Sequence, residues 1–129
     1  MAVGRLVALI LEVADLPASR AFYGGLLGLP LHEGADNEAD GDRWISGEHA
    51  AISWSQGAFF HFALYAAKEA PTRAAQIGFQ VEDLAAMHAR LIAAGVEAAH
   101  GPRQQPWGLS ARYYDPDRNV VELTQPPKR

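Results

Sequence analysis

The sequence contains no cysteine, no cluster of lysine and arginine, and no long apolar run. The absence of cysteine excludes disulfide bonds, thiolate nucleophiles and cysteine-based zinc sites. The net charge of −4 argues against a nucleic-acid partner, because phosphate binding requires a basic face. The apolar run of residues 6–11 ends at Glu12 and is too short for a membrane span or a good signal peptide. We therefore expect a soluble, cytoplasmic protein with neither a nucleic-acid nor a membrane partner.

An internal repeat divides the 129 residues into two similar halves. Residues 7–29 and 75–96 each contain an apolar strand pattern, the motif Val-x-Asp-Leu, and a helical pattern that ends at glycine. The two motif aspartates, Asp15 and Asp83, are 68 residues apart. Since a carboxylate can accept the free N–H groups of a first helical turn, we predict that both are helix N-caps.

Strand-like segments follow each predicted helix. Gly28 and Gly95 suit the left-handed position after a last helical turn. The strand candidates are "LPLHE", "AAISWS" and residues 59–66 in the first half, and residues 96–99, 109–114 and 120–124 in the second. The predicted fold class is therefore α+β, with two βαβββ modules over residues 1–68 and 69–129 whose sheets form a shared cleft.

One carboxylate lies inside a predicted strand of apolar residues. Glu122 stands between Val121 and Leu123, just after the turn sequence Asp-Pro-Asp-Arg-Asn. A buried carboxylate requires a partner, because burying an unpaired charge is costly. Arg112 is a candidate partner, if the strand geometry allows it.

The repeated βαβββ pattern resembles the vicinal oxygen chelate superfamily, which includes glyoxalase I, extradiol dioxygenases, fosfomycin-resistance transferases and bleomycin-resistance proteins. The most specific segment is "QPWGLSARYYDPDRNVVEL", which is similar to the Pro-Trp-Gly … Asp-Pro-x-Gly-Asn … Glu ending of many members. This sequence departs from that ending at Arg118, where glycine is usual. Asn119 tolerates a positive φ and is expected to carry the turn instead.

The resemblance also implies positions for metal ligands. Glu122 corresponds to the carboxylate ligand of the last strand, and Gln76 to the ligand of the first strand of the second half. The matching positions of the first half are Ala8 and Ala63, which cannot bind a metal. Shifting the frame by two residues brings His61 to the same face of its strand. A catalytic metal usually requires three protein ligands, so we expect no metal cofactor. The alternative is a divalent metal held by His61, Gln76 and Glu122.

Aromatic residues lie on or near the same predicted strands. Trp107 lies in a turn sequence, "QPWGL", so we expect it at a cleft mouth or an interface, whereas Trp54 is expected in the core. The word Gln-Pro-Trp-Gly also occurs in bleomycin-resistance proteins, which bind a drug without chemistry. The candidate ligand-binding residues are Gln76, Glu122, His61, Trp107, Trp54, Tyr114 and Arg112. The other four histidines, His32, His49, His88 and His100, are expected at the surface.

Three functions are consistent with these features. The resemblance favours a homodimeric, metal-independent protein that binds an organic, partly aromatic small molecule in a sheet-lined cleft. The second hypothesis is a metal-dependent, glyoxalase-like lyase or isomerase, or a dioxygenase, in which the metal polarises vicinal oxygens of the substrate. The third is a metal-free enzyme. The sequence identifies no catalytic residue and no particular ligand.

Overall fold

The computed structural model describes residues 8–31, 51–52, 60–67 and 69–127. The chain divides into two units, Met1–Thr72 and Arg73–Arg129. The elements are β1 (Ala8–Val13), α1 (Leu16–Arg20), β2 (Ala51–Ile52), β3 (Phe60–Ala66), β4 (Gln76–Gln80), α2 (Leu84–Ala93), β5 (Ala98–Gln105), β6 (Gly108–Tyr114) and β7 (Val120–Gln125). The predicted α+β class is confirmed, and the second unit has the order βαβββ.

The described part of the first unit is a three-stranded sheet with one helix. The strand order is β1-β3-β2, with β1 and β3 parallel and β2 antiparallel to β3. Helix α1 continues directly into a π-helical stretch, Ala21–Leu26. This stretch supplies the buried rings of Phe22 and Tyr23, and the Tyr23 ring centroid lies 5.1 Å from that of Phe62 on β3. Packing between aromatic rings therefore joins the helical segment to the sheet.

The two repeated motifs form equivalent helix ends, as predicted. The carboxylates of Asp15 and Asp83 each accept a hydrogen bond of 3.0 Å from the backbone N–H three residues later. Gly28 and Gly95 follow the helical segments with φ angles of +81° and +85°. Each motif thus satisfies one free N–H at the helix start and allows the chain to reverse direction at the end.

The second unit has a four-stranded sheet in the order β4-β7-β6-β5. Strands β4 and β7 are parallel, and the other two pairs are antiparallel. Helix α2 packs on one face of this sheet through Leu84 and Leu91, which are fully buried. The buried residues Val121, Leu123 and Tyr113 alternate along their strands with less buried residues, as expected for a sheet covered on one face.

Two predicted strands differ from the structure. Residues 29–31 of the "LPLHE" candidate are not a strand, and its last two residues lie outside the described residues. The first predicted strand after α2, residues 96–99, is instead the longer strand β5, Ala98–Gln105. Strands β6 and β7 match their predicted positions within one residue at each end.

The turn between β6 and β7 is organised around a buried aspartate. The Asp115 carboxylate accepts hydrogen bonds from the backbone N–H groups of Asp117 and Asn119, at 2.9 and 2.8 Å. It also accepts one from the Asn119 amide at 3.0 Å, and the Asn119 Oδ1 atom accepts another from the backbone N–H of Ala75. The turn sequence is therefore tied to the strand that begins one residue after Ala75.

The expectation that Asn119 carries the positive φ of this turn was wrong. Arg118 has a φ of +70° and takes the left-handed position itself. The Asn119 side chain is committed to buried hydrogen bonds. The exposed Arg118 side chain instead donates a hydrogen bond of 2.7 Å to Glu97, and its guanidinium lies 3.9 Å from the ring centroid of Tyr114. These two contacts offset part of the cost of placing a residue with a Cβ atom at this φ.

A histidine and a tyrosine connect α2 to the sheet. His88 was expected at the surface, but it is only partly exposed, and its Nδ1 atom lies 2.8 Å from the hydroxyl of Tyr113. The miss arose because His88 follows Leu84 by four residues, which places it on the same helical face as a core residue. Burial raises the pKa of Tyr113 from 10.0 to about 12.

The Tyr113 pKa predicts a loss of stability in alkali. The folded pKa is higher than the unfolded one, so the neutral phenol contributes stability below pH 10 that disappears as the pH rises towards 12. We expect the urea-unfolding free energy of the wild type to fall more steeply over this range than that of Tyr113→Phe. The variant should be slightly less stable at pH 8, because it lacks the hydrogen bond to His88. Parallel curves for the two proteins would contradict the assignment.

Candidate functional site

The second sheet has one face that α2 does not cover. Because side chains alternate along a strand, the residues between the buried positions point to this open face. A row of four residues in register crosses it: His100 on β5 pairs with Arg112 on β6, Arg112 with Glu122 on β7, and Glu122 with Gly78 on β4. We call these four residues the cross-strand row.

An ion pair lies at the centre of the cross-strand row. The Arg112 Nε atom donates a hydrogen bond of 2.9 Å to Glu122 Oε1. The Arg112 side chain is 42% exposed and that of Glu122 is 19% exposed, so the pair is partly desolvated on the Glu122 side. The carboxylate inside the apolar strand therefore has the partner that the sequence suggested. The pair fixes the orientation of the guanidinium through its Nε atom. The two terminal nitrogens of the guanidinium point away from this hydrogen bond.

Gln76 lies close to this ion pair on the same face. It begins β4 and pairs with Val120, whereas Gly78 pairs with Glu122. Gln76 and Glu122 are therefore diagonal neighbours on adjacent strands, at a backbone separation of roughly 7–8 Å. Gln76 is exposed. The two residues thus lie near each other on the face opposite the helix, where a ligand could contact both.

Tyr114 and Trp107 lie at opposite ends of β6. Tyr114 is partly exposed, and the Arg118 guanidinium covers one side of its ring. Trp107 forms the two-residue turn between β5 and β6 together with Pro106 and is 53% exposed. The expectation that Trp107 lies in a turn is confirmed. Its contact with a ligand stays a prediction.

The remaining candidates belong to the first unit. Trp54 lies outside the described residues, as do His32 and His49. His61 is described only through its backbone, which pairs with Ala8 on β1 and with Ala51 on β2. Ala63 pairs with Ile10 and is fully buried. The first unit therefore contributes two alanines at the positions where the superfamily resemblance implied metal ligands.

The described residues do not fit a metal centre. No group of three or more histidine, aspartate or glutamate side chains comes together within the described ranges. Glu122, the carboxylate that the resemblance placed among the ligands, is already paired with a cation that cannot be deprotonated in a protein. A divalent ion bound to the same carboxylate would lie beside the guanidinium and be repelled by it.

Two members of the cross-strand row were not recognised in the sequence. Gly78 lies inside a strand in which apolar and polar residues alternate, and glycine is unfavourable at such a position. This unfavourable placement was the signal that could have identified Gly78. His100 has a sequence context of glycine and proline, which indicated a turn, yet it lies in β5 and its Nδ1 atom is 2.8 Å from the Gly101 carbonyl oxygen. No local pattern could have paired His100 with Arg112, because their register depends on the irregularities of β5.

Comparison with known proteins defines the class to which this fold and site belong. Residues 5–123 match the family model of the Glyoxalase/Bleomycin resistance protein/Dioxygenase superfamily. The chain belongs to this superfamily, which confirms the resemblance seen in the sequence. No protein of curated function matches the chain significantly. Neither helix within the described residues has the length and apolar character that crossing a bilayer requires.

Several solved structures are similar over nearly the whole chain. The antibiotic binding protein TnmS3 from Streptomyces sp. CB03234 is 28% identical, with a TM-score of 0.73 over 98% of this chain and 99% of that one. A glyoxalase/dioxygenase from Nostoc punctiforme is 26% identical, with a TM-score of 0.70 over 96% and 92%. A glyoxalase/bleomycin resistance protein from Streptomyces sp. CB03234 is also 26% identical, with a TM-score of 0.65 over 94% and 100%.

Proposed function

We propose that this protein binds an organic, partly aromatic small molecule without a metal, on the open face of the second sheet. The observation that carries the proposal is the Arg112–Glu122 ion pair at the centre of that face. It provides an oriented cation where a metal-dependent member of the superfamily would need a free carboxylate. Similarity to an antibiotic binding protein and to a glyoxalase/bleomycin resistance protein supports a binding role.

The geometry of Arg112 suits recognition of an oxygen atom on the ligand. Glu122 uses the Nε donor, so the terminal guanidinium nitrogens remain available to a carbonyl, phenolate or carboxylate oxygen. A bound molecule would cover Arg112, which is 42% exposed, and the removal of water would strengthen the hydrogen bonds. Tyr114 and Trp107 supply aromatic surface at the two ends of β6 for contact with ligand rings.

The metal-dependent alternative requires a different use of the same residues. It needs Glu122 to release Arg112 and to bind a cation together with Gln76 and His61. These three residues are the minimum for a catalytic site, because Ala8 and Ala63 add no ligand, and they become available only if the Arg112–Glu122 ion pair breaks. The homodimer and the cytoplasmic location expected from the sequence stay predictions of this proposal.

Metal analysis separates the two functions. Protein purified without a histidine tag should contain far less than one equivalent of nickel, iron, zinc or manganese per chain when measured by inductively coupled plasma mass spectrometry. The physical reason is that Glu122 is paired with Arg112, and removing a charge from such a pair to bind a metal is costly. The same result is expected after incubation with each metal and desalting. One tightly held equivalent would contradict the proposal and favour the enzyme hypothesis.

Substitution of Arg112 tests the binding role directly. We expect Arg112→Met to weaken the binding of an identified ligand about tenfold or more, because it removes the charged donors and keeps the aliphatic stem. The measurement is a thermal-shift titration with bleomycin and with planar aromatic compounds. A ligand at a hundred times its dissociation constant should stabilise the wild type by ~2.7 kcal/mol.

Glu122→Gln is the matched control for this experiment. It keeps the shape and an acceptor oxygen for Arg112, so ligand binding should fall less than in Arg112→Met. If Glu122 were instead a metal ligand, Glu122→Gln would be the more damaging change. In that case Arg112→Met would increase metal occupancy. That reversed order would refute the proposed function.

A further inference from the structure

Gly78 lies in the middle of β4, and nothing in the described part of the chain requires a glycine there. Its φ angle is not in the positive range that favours glycine. The register between β4 and β7 is continuous over all five pairs, so the position is not a bulge. Among the residues that the structure describes, a Cβ atom built on Gly78 would meet only the Glu122 carbonyl oxygen, at 3.9 Å, which is an ordinary contact. Neither its backbone geometry nor close packing against a described residue therefore explains this glycine.

A glycine inside a strand is unfavourable for folding. It increases the conformational entropy of the unfolded chain and contributes no side chain to the sheet. Besides bulges and tight bends, interior strand glycines occur where a ligand or another backbone approaches closely. At Gly78 the bulge is excluded and the neighbouring backbone is at normal distance. Approach of a ligand is the explanation that remains.

The surroundings of Gly78 form a shallow slot on the open face. Gln76 and Gln80 lie two residues before and after it on the same face, and all three are exposed. Glu122 is directly opposite on β7, and Arg112 follows on β6. The backbone of Gly78 therefore forms the bottom of the slot, and the carboxamide side chains of Gln76 and Gln80 lie on either side of it. The Arg112–Glu122 ion pair lies at one end.

We propose that Gly78 is a specificity-determining residue that admits the flat face of a planar ring system into this slot. Adjacent strands are ~4.8 Å apart, so the backbones of Gly78 and Arg112 are separated by roughly 10 Å. A molecule of two or three fused rings spans that distance and can place an oxygen acceptor against the Arg112 guanidinium. This inference rests on the proposed function and adds to it the ligand class and the residue that selects it.

The experiment combines stability and binding in one series of variants. The probe is anthraquinone-2-sulfonate, a planar three-ring compound with carbonyl and anionic oxygens. The variants are Gly78→Ala and Gly78→Val, and the control is Ala99→Val, an exposed small residue on β5 at the far edge of the same sheet. Binding is measured by quenching of tryptophan fluorescence, and stability by thermal unfolding.

We expect Gly78→Val to unfold at the same or a higher temperature than the wild type, because β-branched residues suit an exposed strand position. Its affinity for the probe should fall about tenfold or more, that of Gly78→Ala should fall less, and that of Ala99→Val should not change. A clear loss of stability in both Gly78 variants would overturn the inference, because the fold would then require the glycine.

The remaining outcomes distinguish the slot from the proposed function. If the wild type binds the probe and Gly78→Val binds it equally well, the slot is wrong and the binding role stands. If Arg112→Met loses binding but Gly78→Val does not, the ligand contacts the guanidinium without entering the slot. If the wild type binds neither the probe nor bleomycin, both the slot and the proposed function are refuted.

Discussion

Replacement of Asn119 by alanine is expected to lower the free energy of unfolding by about 3–5 kcal/mol. The side chain is fully buried, accepts a hydrogen bond from Ala75 and donates one to Asp115. Its removal leaves a partly buried N–H group and a buried carboxylate oxygen without these partners, and each such loss costs roughly 1–3 kcal/mol. The loss is a large share of the ~5–15 kcal/mol that stabilises a typical domain. Urea unfolding at pH 7 measures the effect.

Two further variants make the Asn119 prediction specific. Arg118→Ala changes an exposed side chain in the same turn and should alter stability little, because its ion pair with Glu97 is screened by solvent. Asn119→Asp keeps the shape but places a second carboxylate beside Asp115. Because the two like charges repel each other, this variant should be less stable than the wild type at pH 7. A similar loss in Arg118→Ala and Asn119→Ala would contradict the role assigned to the buried amide.

The features predicted correctly from the sequence depend on nearest neighbours. Asp15 and Asp83 cap helices because an aspartate before a helical pattern has a free N–H within reach three residues later. Gly28 and Gly95 take positive φ angles for a similarly local reason. The position of Glu122 opposite the helix also follows from simple alternation along β7.

Only the first two residues of strand β5 fell within a predicted strand, because the sequence that follows them indicates a turn. It contains Gly101 and Pro102, which usually end a strand. The structure tolerates them because β5 is the edge strand of the sheet, where a proline without an N–H group need not interrupt a ladder. Whether a strand lies at the edge depends on the whole sheet, so a short segment of the sequence cannot predict it.

The candidate site was predicted only in part, for a related reason. The sequence suggested Glu122, Gln76 and Arg112, and the structure brings these three close together on one face. Gly78 and His100 were missed because their importance lies in what they face across the sheet. The missing side chain at Gly78 becomes informative only when the fold shows that the backbone at this position does not require glycine.

Replacement of Gly108 by alanine is expected to destabilise the protein by about 3–5 kcal/mol, enough to unfold it if its stability is low. Gly108 begins β6 with a φ of +127°, a conformation that costs a residue with a Cβ atom of order 1–3 kcal/mol. The added Cβ atom would also overlap the carbonyl oxygen of Gln125. Overpacking of this kind typically costs a further 1–3 kcal/mol or so. Thermal and urea unfolding measure the sum.

The position of Gln125 explains why this clash cannot be relieved cheaply. Its backbone pairs with Leu109 in the β6–β7 ladder, and its side-chain Oε1 atom accepts a hydrogen bond of 2.8 Å from the backbone N–H of Leu84, the first residue of α2. A shift of Gln125 away from residue 108 would therefore disturb both the end of the sheet and the start of the helix. Gly95→Ala is the matched control, because Gly95 also has a positive φ but a Cβ atom there would meet no described residue within 4 Å. We expect Gly95→Ala to lower the free energy of unfolding by about 1 kcal/mol, because it has only the cost of the positive φ and no clash. Equal losses in the two variants would show that the close approach to Gln125 does not limit residue 108.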